Sequence, residues 1–366
     1  MKNKPDGLFF NRQFCAEAQN CCDRRGEITY VISPRGLSIK RFGMEVRMRA
    51  FRFAIMGAGK IAGKFCEAAR MADCEVAAVA SKSEERAREW AEKNGVKGAY
   101  GNYERMLEVE KPDCVYIATT PDSHYRLASL CLDHGVPVLC EKAAFLNSAQ
   151  AREIFSRSRK EGIFVMEALW SRFLPAVKQA ERWIAEGIAG RPSLAQIDIG
   201  FLAPAGSENR YRNPGLGGGA AYDITVYAYE IARFLFGQEE SLQASAVWGP
   251  TGVDVTDHVT LHYPGMCVLL TTSFDAALEE RAVIYTEQGR IVLPHPHFAS
   301  EVFFEPQDGG EVISFRDTQT QNGFVYEIAE AVSCIRAGKT ESLVVPHALT
   351  LACAELFDRI LETKPV

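Results

Sequence analysis

No apolar run in this 366-residue chain reaches the length of a membrane-spanning helix, and neither sign of charge dominates. Its 41 Lys and Arg against 47 Asp and Glu leave a net charge of −6, with the cations scattered, which removes the electrostatic case for nucleic acid as a partner. The 11 cysteines include no CxxC pair, so their spacing points to no metal or dithiol motif. Cys66, Cys114, Cys131 and Cys267 fall within apolar patterns, where cysteine acts as a small hydrophobe. A reduced, cytoplasmic chain is the expectation. His295-Pro296-His297 clusters two imidazoles, but no third donor is placed by sequence, and the segment reads as a loop without metal.

The composition that remains is ordinary for a globular protein, 47% hydrophobic and 24% charged, in a chain long enough for two domains. Residues 1–50 stand apart as an N-terminal extension. They show little sustained periodicity, hold three cysteines and lack the charged-then-apolar plan of a signal peptide. Met44-Glu45-Val46 must be encoded ATG-GA(A/G)-GTN, which can contain GGAGGT, a bacterial ribosome-binding sequence, just upstream of Met48. The expectation is that translation starts at Met48 and that the leading segment is not native.

FRFAIMGAGKIAGKFCEAARM (51–71) gives a short apolar strand, then GxGxxA, then a helical pattern. That is where a dinucleotide fingerprint belongs. Gly57 permits the tight turn, Gly59 lets the backbone approach a pyrophosphate, and Ala62 is small enough for close packing of helix on strand. Lys60, Ile61 and Ala62 open the helix and turn its N–H groups and positive dipole toward phosphate. At the end of the second strand, CEVAAVASK (74–82), an NAD site usually carries an acid for the ribose hydroxyls. Here stand Ser81 and Lys82, with Arg86 on the next helix, an arrangement that favours the 2′-phosphate of NADP. Strand and helix patterns then alternate as a doubly wound parallel Rossmann sheet requires, over residues 51–175. Thr119, Thr120 and Pro121 close one strand at the ligand crevice, and Glu141-Lys142 closes the next. An ammonium there is poorly explained as a surface charge.

GGGAAYDITVYAYEIARFLFG (217–237) reads as a glycine loop feeding a helix buried along Ile224, Ala228, Ile231 and Leu235. Asp223 and Tyr227, four apart, share the neighbouring face. From residue 176 onward PSLAQIDIGF, LQASAVWG, DHVTLHYPG, MCVLLTTSFDA and RAVIYTEQGRIVL alternate as strands of an antiparallel sheet with one covered face.

FRFAIMGAGKIA, YIATTPDSHY, LCEKAAFLN, GGGAAYDITVY and ESLVVPH, in this order and spacing, resemble the glucose–fructose oxidoreductase/inositol dehydrogenase/MocA family from about residue 51 to the end. The resemblance implies a Rossmann domain for NAD or NADP and a C-terminal domain (176–366) with a large open sheet that forms a homodimer. It implies that Lys142, in the family's EKP motif, is catalytic, although Ala143 stands where the family has proline. The family's DxxxH appears as DxxxY, Asp223 to Tyr227, as in the dihydrodiol and D-xylose dehydrogenase branch. By the same resemblance Trp170, Arg172 and Phe173 line the substrate pocket and His124 lies near the nicotinamide ribose. Tyr227 is then the acid–base residue, with Asp223 orienting it, Lys142 or the substrate. A phenol with a pKa near ~10 is a poor base at neutral pH, and Lys142 is expected to lower that value. The implied activity is transfer of a hydride between a nicotinamide and a sugar or cyclic diol. The same scaffold also admits an NAD-dependent glycosidase or a non-catalytic nucleotide-binding sensor.

Overall fold

A computed structural model of the chain describes residues 20–22, 28–33, 36–41, 44–47 and 49–365. The N-terminal strands β1 (Asn20–Cys22), β2 (Ile28–Ser33), β3 (Gly36–Arg41) and β4 (Met44–Arg47) pair antiparallel in chain order. The β-branched content of ITYVIS suits a strand despite the short repeat. This segment belongs to a compact unit separate from Phe51–Val366. Met48, the expected start of translation, lies outside the described residues.

The larger unit begins with six strands, β5 (Arg52–Met56), β6 (Glu75–Ala80), β7 (Gly98–Tyr100), β8 (Cys114–Ile117), β9 (Val138–Glu141) and β10 (Val165–Ala168). They are separated by α1 (Lys60–Met71), α2 (Glu84–Asn94), α3 (Tyr103–Glu110), α4 (His124–Asp133) and α5 (Ser148–Glu161). All pair in parallel in the order β10-β9-β8-β5-β6-β7. β8 and β9 are buried along their whole length, as strands covered on both faces must be. Strand order reverses between β5 and β8, which opens a crevice beyond their carboxyl ends.

After α6 (Pro175–Ala185) comes a second sheet. Its strands are β11 (Pro192–Gly200), β12 (Ser241–Trp248), β13 (Asp254–Tyr263), β14 (Met266–Ser273), β15 (Arg281–Thr286), β16 (Gly289–Pro294), β17 (Glu301–Pro306) and β18 (Ile313–Arg316). The order is β12-β13-β14-β11-β15-β16-β17-β18, antiparallel except where β11 lies beside β14. β17 and β18 extend the sheet beyond the strands read from sequence. α7 (Val226–Phe236) packs across β11 and β14 and covers one face.

The chain then returns. α8 (Phe324–Arg336) packs on α1, and α9 (His347–Glu362) packs on α5. Edge strand β10 is tied to this last segment: Val165 N–H donates to Thr340 O at 3.0 Å, and Val165 O lies 2.9 Å from His347 Nε2.

Candidate active site

At the nucleotide end, Gly57 has φ +111°, and a Cβ built on it would lie 2.7 Å from Ala118 O. Only glycine fits there. Helix α1 starts at Gly59 with no side-chain cap and no acid in its first turn, while Ala62 is fully buried against the sheet. Its first N–H groups therefore have no side-chain acceptor of the helix's own, the arrangement that suits an anion. Trp90 Nε1 donates to Gly59 O at 3.0 Å and fixes the loop from behind. Arg86 Nη2 reaches Ala58 O at 3.4 Å, which brings a cation onto the same loop; Lys82 is exposed nearby in sequence, and Ser81 is buried at the end of β6. Ser83, not an acid, caps α2. An uncapped helix start, a turn that excludes any side chain and a nearby guanidinium fit a dinucleotide.

At the reaction end three elements converge. Lys142 leaves the end of β9 and donates to Asp223 twice, to the main-chain oxygen at 2.6 Å and to Oδ1 at 2.9 Å. Its Nζ lies 4.8 Å from the Tyr227 ring centroid, and the Lys142–Ala143 peptide is cis. Trp170 Nε1 donates to Tyr227 Oη at 3.1 Å. Arg210 gives Asp223 Oδ1 a second cation at 3.1 Å and stacks on Tyr211. Burial alone would raise the Asp223 carboxyl, but the Lys142 ammonium and the Arg210 guanidinium outweigh it and hold the group below the usual range.

Tyr227 behaves differently from the sequence expectation. Burial first, then the charge of Glu141, push its phenol well above the ordinary value. Lys142 spends its hydrogen bonds on Asp223, and the phenol stays raised despite the ammonium 4.8 Å from its ring centroid. The resting phenol therefore holds its proton.

Asp223 and Tyr227 are not on one regular helix. Ala221–Thr225 is a π-helical turn leading into α7, a wider turn common at functional sites. Two buried acids from β13 hold it. Asp254 Oδ2 accepts the Ala221 N–H at 2.6 Å, and Asp257 Oδ2 accepts from Thr225 Oγ1 at 2.6 Å. A register shift between Val247 and Trp248, opposite Thr256 and Asp254, inserts one extra residue. That bulge lets two acids three positions apart meet the same turn. Burial first, then the Asp254 charge, push the Asp257 carboxyl well above its ordinary value, and burial raises Asp254 as well. Gly219 is required beside them: at φ +133° its Cβ would lie 2.3 Å from Asp254 Oδ1.

Several sequence-expected site residues are engaged elsewhere. His124 is fully buried, with Nδ1 2.9 Å from Ala143 O and Nε2 3.1 Å from Thr119 O. Both ring nitrogens face main-chain carbonyls, and the one N–H of the neutral ring donates to one of them, so the side chain ties two strand ends together. Glu141 turns inward and accepts from Tyr116. Arg172 is not a pocket wall: it binds Glu230 O at 2.8 Å and Val344 O at 2.9 Å, anchoring α7. Phe173 is buried in the core. Thr119, Thr120 and Pro121 remain half-exposed at the crevice, where Thr119 Oγ1 accepts from Ser123 at 2.8 Å. Sequence reading missed Arg210 and His297. The His297 ring stands 5.2 Å from that of Tyr227, and only the HPH repeat marked it. No group of three metal-ligating side chains occurs among the described residues.

Comparison with known proteins points the same way. A family model described as an oxidoreductase family with an NAD-binding Rossmann fold matches residues 51–169, and the GFO/IDH/MocA C-terminal domain matches 177–292. Trans-1,2-dihydrobenzene-1,2-diol dehydrogenase of Danio rerio is 32% identical over 323 residues, 84% of this chain and 95% of that protein. The 3-ketoreductase KijD10 of Actinomadura kijaniata, in complex with NADP and TDP-benzene, superposes with a TM-score of 0.77 at 22% identity, covering 86% of this chain and 98% of that one. Levoglucosan dehydrogenase with NADH and levoglucosan gives 0.77 at 18% identity, covering 86% and 97%.

Proposed function

The chain belongs to the GFO/IDH/MocA oxidoreductase family of NAD(P)-dependent dehydrogenases, and from that premise we propose that it is an NADP-preferring dehydrogenase of a sugar or cyclic diol. The observation that carries the reading is the meeting of Lys142, Asp223 and Tyr227 beside the crevice of the dinucleotide loop. Residues 51–175 serve as the nucleotide domain and 176–366 as the substrate and dimerisation domain.

Bound nicotinamide would supply or accept the hydride. The protein's own part is the proton. Tyr227 Oη, steadied by Trp170, faces the oxygen of the reacting carbon; as the resting phenol it gives its proton in reduction, and as tyrosinate it takes one in oxidation. Lys142, held by Asp223, keeps a positive charge at that oxygen and stabilises it as negative charge develops. Gly57, Gly59, Lys60, Ile61 and Ala62 hold the pyrophosphate. The NADP preference rests on Arg86 beside the loop, on Lys82, and on a hydroxyl rather than a carboxylate capping α2.

The test is absorbance at 340 nm with aldoses and cyclic diols, NADP+ and NAD+ in parallel. Turnover with NADP+ supports the reading. Cleavage of an aryl glycoside with no net change at 340 nm would replace it with the glycosidase. Tight NADP(H) binding with no turnover across the panel would favour a sensor.

A further inference from the structure

We propose that His297 is a substrate-recognition residue, whose imidazole binds a hydroxyl on the carbon next to the reacting one and so selects vicinal diols and sugars over simple alcohols. The inference rests on the dehydrogenase reading and deepens it. His297 sits in a short 3-10 turn, Pro296–Phe298, entered through His295 at φ +46°. The Phe298 ring meets its edge at 4.4 Å, and its own ring lies 5.2 Å from that of Tyr227 at an interplanar angle of 33°. A side chain one ring away from the proton-handling phenol reaches the neighbouring carbon of a bound substrate.

Its Nδ1 is buried and has no hydrogen-bond partner among the described residues. That nitrogen is closed to a ligand as it is to solvent, so a bound hydroxyl meets Nε2 on the half-exposed ring. Burial first, then the Lys142 ammonium, push the imidazole pKa down to about 4, so the ring is neutral at pH 7. The Nε2 of a neutral imidazole donates to or accepts from a hydroxyl, according to the tautomer, and gives a hydrocarbon nothing. The neighbouring His295 lies against Glu280, with Nδ1 3.3 Å from Oε2, so the two imidazoles serve separate contacts and do not form a metal pair.

The experiment compares trans-cyclohexane-1,2-diol with cyclohexanol, using NADP+ and the full chain as wild type, His297→Phe and His297→Asn. The diol-to-alcohol ratio of kcat/KM should fall about tenfold in His297→Phe, the size of one hydrogen bond, and recover in part with Asn, whose amide both donates and accepts. An unchanged ratio in His297→Phe overturns the proposal. A second readout needs no turnover: ring-15N NMR of histidine-labelled protein saturated with NADP+. The resonance absent from His297→Phe should move with the diol and stay with the alcohol. Movement without turnover of any substrate keeps this inference and sinks the dehydrogenase reading; a resonance indifferent to both sinks the inference.

Discussion

Two glycine-rich loops in this molecule each open a helix, and they end oppositely. Gly57-Ala58-Gly59 leads into α1, whose first N–H groups have no internal side-chain acceptor. Gly217-Gly218-Gly219 leads into the π-helical turn before α7, where Asp254 from a distant strand takes the Ala221 N–H at 2.6 Å. The first helix start is left open to an external anion. The second is closed by the protein's own carboxylate and so becomes a rigid mount for Asp223 and Tyr227. A glycine loop before a helix therefore announces an anion site only where the chain has not already supplied the anion.

Four substitutions would break or sharpen that contrast. Tyr227→Phe should cut turnover by about 10²–10⁴ while NADP(H) binding persists, because only the closed site loses its proton carrier. Steady-state rates beside a fluorescence titration of NADPH would separate the two, and a drop in both together would blur the division. Gly57→Ala should do the reverse and weaken NADP(H) by roughly ten- to a hundredfold through backbone strain of about 1–3 kcal/mol. Calorimetry reads this directly, and an unchanged Kd would remove the loop from the cofactor site.

Asp257→Asn tests the closed end. The Asp257 carboxyl is raised by burial first and by the charge of Asp254 second. A raised carboxyl keeps its proton in the folded state where the unfolded chain has lost it. Stability from this group thus falls as pH climbs above the unfolded value near ~4, until the folded pair ionises. Asn reproduces the protonated form, so urea midpoints of the variant at pH 5 and pH 8 should differ less than those of the wild type in the direction of loss at pH 8. Equal slopes would mean the pair holds no extra proton. Smallest is Lys82→Glu, which should lower the preference for NADP over NAD by about three- to tenfold, less at high salt. A preference that does not move assigns the 2′-phosphate to other residues.

What was legible in the sequence was local. GAGKIA carries its geometry in six consecutive residues, and the alternating strands around it declare a parallel sheet. Lys142 was legible because a lysine ending a buried strand is conspicuous. Asp223 and Tyr227 were visible as an i,i+4 pair, but the π-turn between them depends on a bulge in β13 that no periodicity in the helix itself records. Arg210 reaches Asp223 from an irregular loop, and His297 reaches Tyr227 from 70 residues downstream, so their roles exist only after both sheets have formed. Arg172 and His124 run the other way. Family resemblance placed them at the pocket and the ribose, while in the fold Arg172 binds Glu230 and the Val344 carbonyl, and His124 faces the Ala143 and Thr119 carbonyls.

The tie between Val165 and the 340–347 segment has a temporal meaning. Edge strand β10 belongs to a sheet whose other strands are complete by residue 141, but the backbone that seals it lies near the end of the chain. During synthesis the nucleotide sheet must wait, with its edge unsealed, while the whole second sheet is made. Contacts of such long sequence separation slow folding and prolong exposure of a strand edge. The two halves are thus bound to mature together, and a chain cut short before residue 340 loses the seal on the part that was synthesised first.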